Sequence, residues 1–443
     1  MTGVAGERFA PEPAAATAAD RRLGARDHLV LWGSLGVGLL VIETGTFVAE
    51  LGLARAVLAV AVGSVIGSAL LAAAARIGAA ERLPSMMLLR PVLGRRGSLV
   101  PTALNVLQLV GWTAFELWVM GHAAAVIGRA LFGHGGAGVW IVVFALWSTA
   151  MALGGPLAVV RVWLEKVGVW AMLAASLYLT YRLASSVDLG ALWSQAGTAP
   201  GGFWRMVDLV IVMPVSWLPL VADYSRFATS PRASFRGTFA GYALANTWFY
   251  LLGVLFVLSA DLGPAPSPAD LAAAIAALGG GALALVAILV DETDNVFADI
   301  YSAAVSIRNA LPGADQRVLV VGLGALGAVL AAVARMDAYF DFLVLIGSVF
   351  VPLFGVLLAD HYIVGRGAGR GGAPDADGGV RWGAMLAWAV GVTAYHGAAA
   401  ALPIGGSLPA LAAAGGAYVA LARAGLAGPA RSPAVDDARG GFR

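Results

Sequence analysis

Trp112 and Glu116 lie four residues apart in the stretch GWTAFELWVMG (111–121). On a helix that spacing puts both side chains on one face. An indole offers a flat stacking surface, and a carboxylate accepts hydrogen bonds from amino groups and ring N–H groups. Together they suit a flat, nitrogen-rich ring. The blander alternative is a packing tryptophan beside a glutamate paired to another helix. The surroundings are apolar enough to lie in lipid, where a charged side chain costs about 2.5–3.5 kcal/mol on insertion scales, and that cost favours the functional reading.

A second anomaly is DETDNVFADIYSAAVSI (291–307), with acids at Asp291, Glu292, Asp294 and Asp299. They cannot all be ionised and unpaired in an apolar setting: some hold protons, or they meet a cation and polar partners. Thr293 and Asp294 could join backbone carbonyls freed near Ile42 and Gly45, as an oxygen cage for Na⁺ or as a proton-binding carboxylate. Asp291 and Glu292 could instead cap a helix near water, a reading that is weaker for Asp299. Trp217, in PVSWLPLVADYSRF (214–227), could cover the other face of the same ring, or be one more core residue among 13 tryptophans. Glu43 and Thr46 invite cavity access. Asn105 and Gln108 read as interhelical hydrogen bonders, Asp223 with Arg226 as a local pair, and Asp208, Asp341 and Asp360 as structural acids.

The elements that must carry these residues are membrane-spanning helices. The chain of 443 residues is 60% hydrophobic and 12% charged, with mean hydropathy +0.83, far from the composition of a soluble domain. A span needs roughly 20 apolar residues. Twelve candidates result: 29–50, 53–78, 98–128, 137–155, 158–184, 203–227, 235–260, 280–308, 316–335, 338–364, 380–400 and 404–424. With both termini inside, only Arg55, Arg129, Arg182, Arg205 and Arg335 of the 28 basic residues fall outside, as the positive-inside bias requires. Residues 1–27 and 425–443 read as disordered cytoplasmic tails. The abundance of Ala, Gly and Arg, with Lys166 the only lysine, suggests a bacterial inner membrane protein.

Two spans carry interruptions: the first at Glu43-Thr44-Gly45-Thr46, the sixth at Met213-Pro214-Val215-Ser216 and Pro219. Breaks five spans apart point to two inverted five-helix halves, with a binding site at the bilayer midplane. The first half covers about 28–184, the second about 203–364, and two extra helices follow over 380–424. Cysteine is absent and the five histidines are scattered, so thiol chemistry and disulfides are excluded. The sequence has no GxxxxGK[ST] loop and no nucleophile–base pair, so it does not read as an enzyme or an ATPase. A net charge of +2 makes no case for nucleic acid.

Three stretches, LGRRGSLVPTALNVLQLVGWTAFELWVMG (93–121), VMPVSWLPLVADYSRF (212–227) and ETDNVFADIYSAAVS (292–306), resemble the nucleobase:cation symporter-1 family. Within it they look most like the cytosine-permease branch and the CytX-type hydroxymethylpyrimidine transporters linked to thiamine-precursor salvage. The likeness runs over about 28–424. It implies an all-α, LeuT-like fold with helices 1 and 6 broken. It also implies a planar substrate sandwiched between Trp112 and Trp217. Glu116, where some members have glutamine, would hold an amino-bearing ring, with Asp299 and Thr46 as further contacts. The family's Na⁺ site would fall on Ile42, Gly45, Thr293 and Asp294. Asp294 stands where a small hydroxyl is expected, which leaves Na⁺ and H⁺ both open.

The resulting expectation is a cation-coupled importer of an aminopyrimidine such as hydroxymethylpyrimidine or cytosine. It would need no cofactor, act as a monomer in the bilayer and work by alternating access. A receptor or channel without ion coupling is the alternative.

Overall fold

The computed structural model describes residues 16–133, 135–160, 164, 168–199, 202–259, 262, 266–335, 338–365 and 379–427. Among these the regular structure is helical, with one isolated bridge between Leu23 and Ala228. The principal helices are α1 (Ala25–Ser34), α2 (Leu39–Val48), α3 (Leu53–Glu81), α4 (Leu99–Phe132), α5 (Ala137–Gly154), α6 (Val169–Ser185), α7 (Phe203–Ser216) and α8 (Val221–Ser225). They continue with α9 (Pro231–Ser259), α10 (Pro268–Ala277), α11 (Gly281–Ala310), α12 (Gln316–Ala331), α13 (Tyr339–Ala359), α14 (Trp382–Ala401) and α15 (Ser407–Arg423).

Among the described residues six helices are long and apolar enough to cross a membrane, or seven if the bent pair α1 and α2 counts as one span. That is fewer than the twelve spans expected. Among the candidates outside that count, α11 has ample length but carries four acids, α7 stops at a break, and α12 is only 16 residues long. Outward apolar side chains, including Leu107, Leu146, Trp170, Leu244 and Val329, would be costly in water if they form large patches and suit lipid.

The helices form two groups. In one, α9 packs along α1, α2 and α3, and α7 joins it on α3. In the other, α11 and α12 pack against α4 and α5. Between them the polar middle of α11 meets the connection from α1 to α2. The C-terminal helices α14 and α15 pack on each other and on α13.

Both interruptions exist, but the first lies elsewhere than expected. α1 and α2 are bent by 70° at Leu35-Gly36-Val37-Gly38, while Glu43–Thr46 are helical within α2. The hydroxyls there are absorbed by the helix itself: Thr44 donates to Leu40 O and Thr46 to Glu43 O. Helix α7 runs through Pro214 and stops at Ser216, and the break covers Trp217–Leu220.

The N-terminal tail also needs correction. From Ala16 onward it is anchored at points, with Ala16 and Leu23 buried and Arg21 donating to the carbonyls of Ala228 and Thr229. An apolar Leu23 and the Thr229 N–H bond to Leu23 O tie it to the loop after α8. Residues 1–15 lie outside the described residues. So do 428–443, whereas Ala427, also assigned to a tail, is buried.

Candidate functional site

Backbone groups freed at a break inside a membrane must find partners in protein. At the first break α11 supplies them. Asn295 Nδ2 donates to Val37 O at 3.2 Å, and the Leu39 N–H donates to Glu292 Oε2 at 3.0 Å. Ser34 Oγ donates to Asp291 Oδ1 at 2.9 Å. Glu292 therefore caps the N-terminus of α2, where orphan N–H groups and the helix dipole favour a negative charge. Gly38 makes the approach possible. Its φ is +152°, and a Cβ there would lie 2.6 Å from the Glu292 carboxyl.

At the second break Asn105 Nδ2 donates to Pro219 O and to Ser306 Oγ, and Gln108 donates to Asn105. Ser85 Oγ accepts from the Ala222 N–H, while the Ser85 N–H donates to Asp223. Asn105 and Gln108 thus act as the interhelical polar links that the sequence suggests. Arg226 reaches the Asp223 backbone carbonyl and the Tyr301 hydroxyl.

Between the two breaks lies a buried cavity. Trp112 and Glu116 from α4, Trp217 from the second break, and Asp299 from α11 all line it. Four of the five expected substrate contacts are thereby brought together. Thr46 is not among the lining residues, because it sits two turns beyond the actual break. Each tryptophan is held edge-on by other rings: Trp217 by Trp32 at 5.9 Å between centroids, and Trp112 by Phe342 at 5.4 Å and Tyr339 at 5.9 Å. T-shaped pairs of this kind fix ring orientation.

Sequence reasoning missed Glu292, Asn295, Ser216 and Tyr242 in the lining. The signal for two of them was present: Glu292, Asn295 and Asp299 follow i, i+3, i+7 on α11, which is one helix face. Asp291 and Glu292 do not cap α11 near water. Both are buried in its interior.

The cavity measures about 30 Å³, room for one or two waters and not for an aromatic ring. A planar guest requires its walls to part. A larger cavity of about 380 Å³ lies near Phe47, Arg205 and Tyr395. Its one carboxylate, Asp208, is already occupied by the N–H groups of Gly406 and Ser407.

The expected ion-ligand set does not assemble. Ile42 and Gly45 face α9: a Cβ on Gly253 would strike Ile42 O, and one on Gly45 would strike the Tyr250 backbone. The Thr293 hydroxyl donates back to Val290 O, and its carbonyl accepts from Ser148 on α5. Asp294 is fully buried, and neither carboxyl oxygen has a hydrogen-bond partner. The first-span side of this contact is Ser34 and Val37 rather than Ile42 and Gly45. Among the described residues no three His, Cys, Asp or Glu side chains are placed to hold a metal ion.

A profile described as permease for cytosine/purines, uracil, thiamine, allantoin matches residues 16–419. The chain belongs to this permease family. Its members are membrane transporters rather than enzymes. The hydantoin permease of Microbacterium maritypicum is 23% identical over 388 residues, 80% of this chain and 76% of that one. Among solved structures, Mhp1, a nucleobase-cation-symport-1 family transporter in a closed conformation with bromovinylhydantoin bound, superposes with TM-score 0.79 at 20% identity. The match covers 94% of this chain and 95% of Mhp1. A Na⁺-coupled sialic acid symporter gives TM-score 0.65 at 13% identity, covering 92% and 91%. The permease shares their all-helical fold.

Proposed function

We propose that this permease is a cation-coupled importer of a planar nitrogen heterocycle bearing an amino group. An aminopyrimidine such as hydroxymethylpyrimidine or cytosine fits best. The observation that carries the reading is the convergence of Trp112, Trp217, Glu116 and Asp299 on one buried cavity between two helix breaks. Indole faces stack any flat ring, and carboxyls accept from exocyclic and ring N–H groups. The hydantoin-binding and cytosine-transporting relatives in the family support a flat heterocycle in general. The glutamate at 116 favours an amine edge in particular.

Transport proceeds by alternating access. A bundle of α1, α2, α3, α7, α8 and α9 rocks against the scaffold of α4, α5, α11 and α12, within two inverted halves of about 28–184 and 203–364. The coupling cation, Na⁺ or H⁺, binds where α11 meets the first break, at Asp294 and Asp291 beside Ser34. Its arrival favours the conformation that admits substrate. The protein works as a monomer in a bacterial inner membrane with both termini cytoplasmic.

The test is uptake of radiolabelled cytosine or hydroxymethylpyrimidine into proteoliposomes, with a Na⁺ or a pH gradient imposed in turn. Accumulation above equilibrium under one gradient supports the reading. Downhill equilibration under every gradient would identify a channel-like or passive route instead.

A further inference from the structure

The geometry points to a guest that binds as a monocation, a flat ring with an amidinium-type edge such as a protonated aminopyrimidine, rather than as a neutral base. This inference rests on reading the cavity between Trp112 and Trp217 as the substrate site.

Among the described residues three carboxyl groups line that cavity, Glu116, Glu292 and Asp299, and no Lys, Arg or His does. The three do not play equal parts. Glu292 is committed to the Leu39 N–H. The positive N-terminus of α2, the obvious seat for an anionic guest group, is thus already filled by a carboxylate of the protein itself. An acid-bearing or imide-anion guest has no positive seat left.

Glu116 and Asp299 remain. They are 4% and 3% exposed, and Glu116 Oε2 and Asp299 Oδ2 have no hydrogen-bond partner. The two carboxyls come from different helices, α4 and α11, and both line the cavity. Two acids on the wall of one apolar cavity give it an acidic character. The other polar groups do not offset it. The Asn295 amide donates to Val37 O, and the Ser216 hydroxyl donates to Met213 O. Asp294, just behind the lining, is another acid.

An amidinium edge answers this arrangement on two counts. It presents two parallel N–H donors, the geometry a carboxylate receives bidentately. It also brings one positive charge for a carboxylate of the pair to meet, so that neither is buried without a partner. A neutral imide would bring two carbonyl oxygens against oxygens already unsatisfied.

The experiment is ligand binding to the purified full-length permease in detergent, by isothermal titration, with benzamidine and benzamide as probes. The two rings match in size and flatness, but only benzamidine is cationic at neutral pH. Cytosine is measured in parallel. The expected result is benzamidine binding at least about tenfold more tightly than benzamide, because charge-assisted bidentate pairing exceeds neutral pairing. The preference should disappear in Glu116→Gln/Asp299→Asn. Benzamide binding as well as benzamidine in the unaltered protein would overturn the charge assignment without any variant being needed, and so would a preference that survives the double substitution. Cytosine binding without benzamidine binding would overturn the charge assignment alone. Binding of none of the three rings would overturn the reading of the cavity itself.

Discussion

Oε2 of Glu292 accepts the backbone N–H of Leu39 at 3.0 Å, joining residues 253 apart in sequence. This bond explains how the first span can stop and restart within the protein. α2 begins with N–H groups that have no partner in their own helix, and a side chain from the opposite helix group meets one of them. The contact lies between the bundle and the scaffold, on the wall of the cavity. Any motion that parts the two helix groups has to strain or release it.

Gly38→Ala tests that contact directly. The substitution asks an L-residue to adopt φ +152° and places a Cβ 2.6–2.9 Å from the Glu292 carboxyl. Backbone strain of this kind costs about 1–3 kcal/mol. We expect a lowered melting temperature in detergent and loss of uptake. A variant with unchanged melting and unchanged uptake would show that the Gly38–Glu292 approach does not matter.

Glu116→Gln should act on binding and spare folding. The amide keeps the shape and one acceptor oxygen but loses the charge. Since hydrogen bonds to a charged group contribute about 1.5–3 kcal/mol, substrate affinity should fall by about tenfold to a hundredfold. Thermal melting of the substrate-free protein should change little. Equal affinity by titration would remove Glu116 from the site.

The two tryptophans should contribute comparably. Stacking of a base on an aromatic side chain is worth about 1–3 kcal/mol on alanine substitution. Trp112→Ala and Trp217→Ala should each weaken binding by about fivefold to more than a hundredfold, and Trp217→Phe should recover part of the loss. Competition binding against a labelled ring measures all three. Full affinity in Trp217→Ala would leave that indole as a core residue held against Trp32.

How far these features could be read from sequence depended on whether the signal was local. Trp112 and Glu116 share a helix face at a spacing that sequence states outright, and Trp217 sits beside two prolines. The first break was placed one to two turns too late because Thr44, Gly45 and Thr46 have weak helix propensity and Glu43 is polar. Propensity lost to local bonding: Thr44 and Thr46 return their hydroxyls to carbonyls within α2, a known adaptation of hydroxyl residues in membrane helices. The actual break is marked only by Gly36 and Gly38, in a chain with 58 glycines. What distinguishes Gly38 is Glu292, a partner visible only once α11 is folded against it. Ile42 and Gly45, assigned to the ion from sequence, lie within α2 rather than at the break for the same reason. In a continuous helix their small or carbonyl surfaces serve close packing on Tyr250 and Gly253 of α9.

Asn105→Ala addresses the second break. Asn105 serves Pro219 O, Ser306 and Gln108 at once, and it is fully buried. Removing it leaves buried polar groups unsatisfied, at about 1–3 kcal/mol for each group. We expect a lower melting temperature together with reduced uptake. Asn105→Asp, which keeps an acceptor for Gln108 but loses the donor to Pro219 O, should be no better. Wild-type stability in Asn105→Ala would mean that water or a local shift satisfies the break.

Asp294→Asn separates coupling from transport. Asp294 is fully buried with both carboxyl oxygens unpartnered, and it lies one turn beyond Asp291, which Ser34 binds. An unpaired buried carboxyl of this kind either takes a proton or meets a cation. Asparagine has the same shape but takes no proton, and it meets a cation only with a neutral carbonyl oxygen. If Asp294 carries the coupling ion, the variant should lose accumulation above equilibrium while still exchanging labelled for unlabelled substrate across the membrane. Exchange needs only the rocking motion and an intact pocket, and Asp294 does not line the pocket. Loss of both activities with unchanged melting would instead make the carboxyl part of the rocking contact. Gradient-driven accumulation at the wild-type level would move the coupling step away from α11.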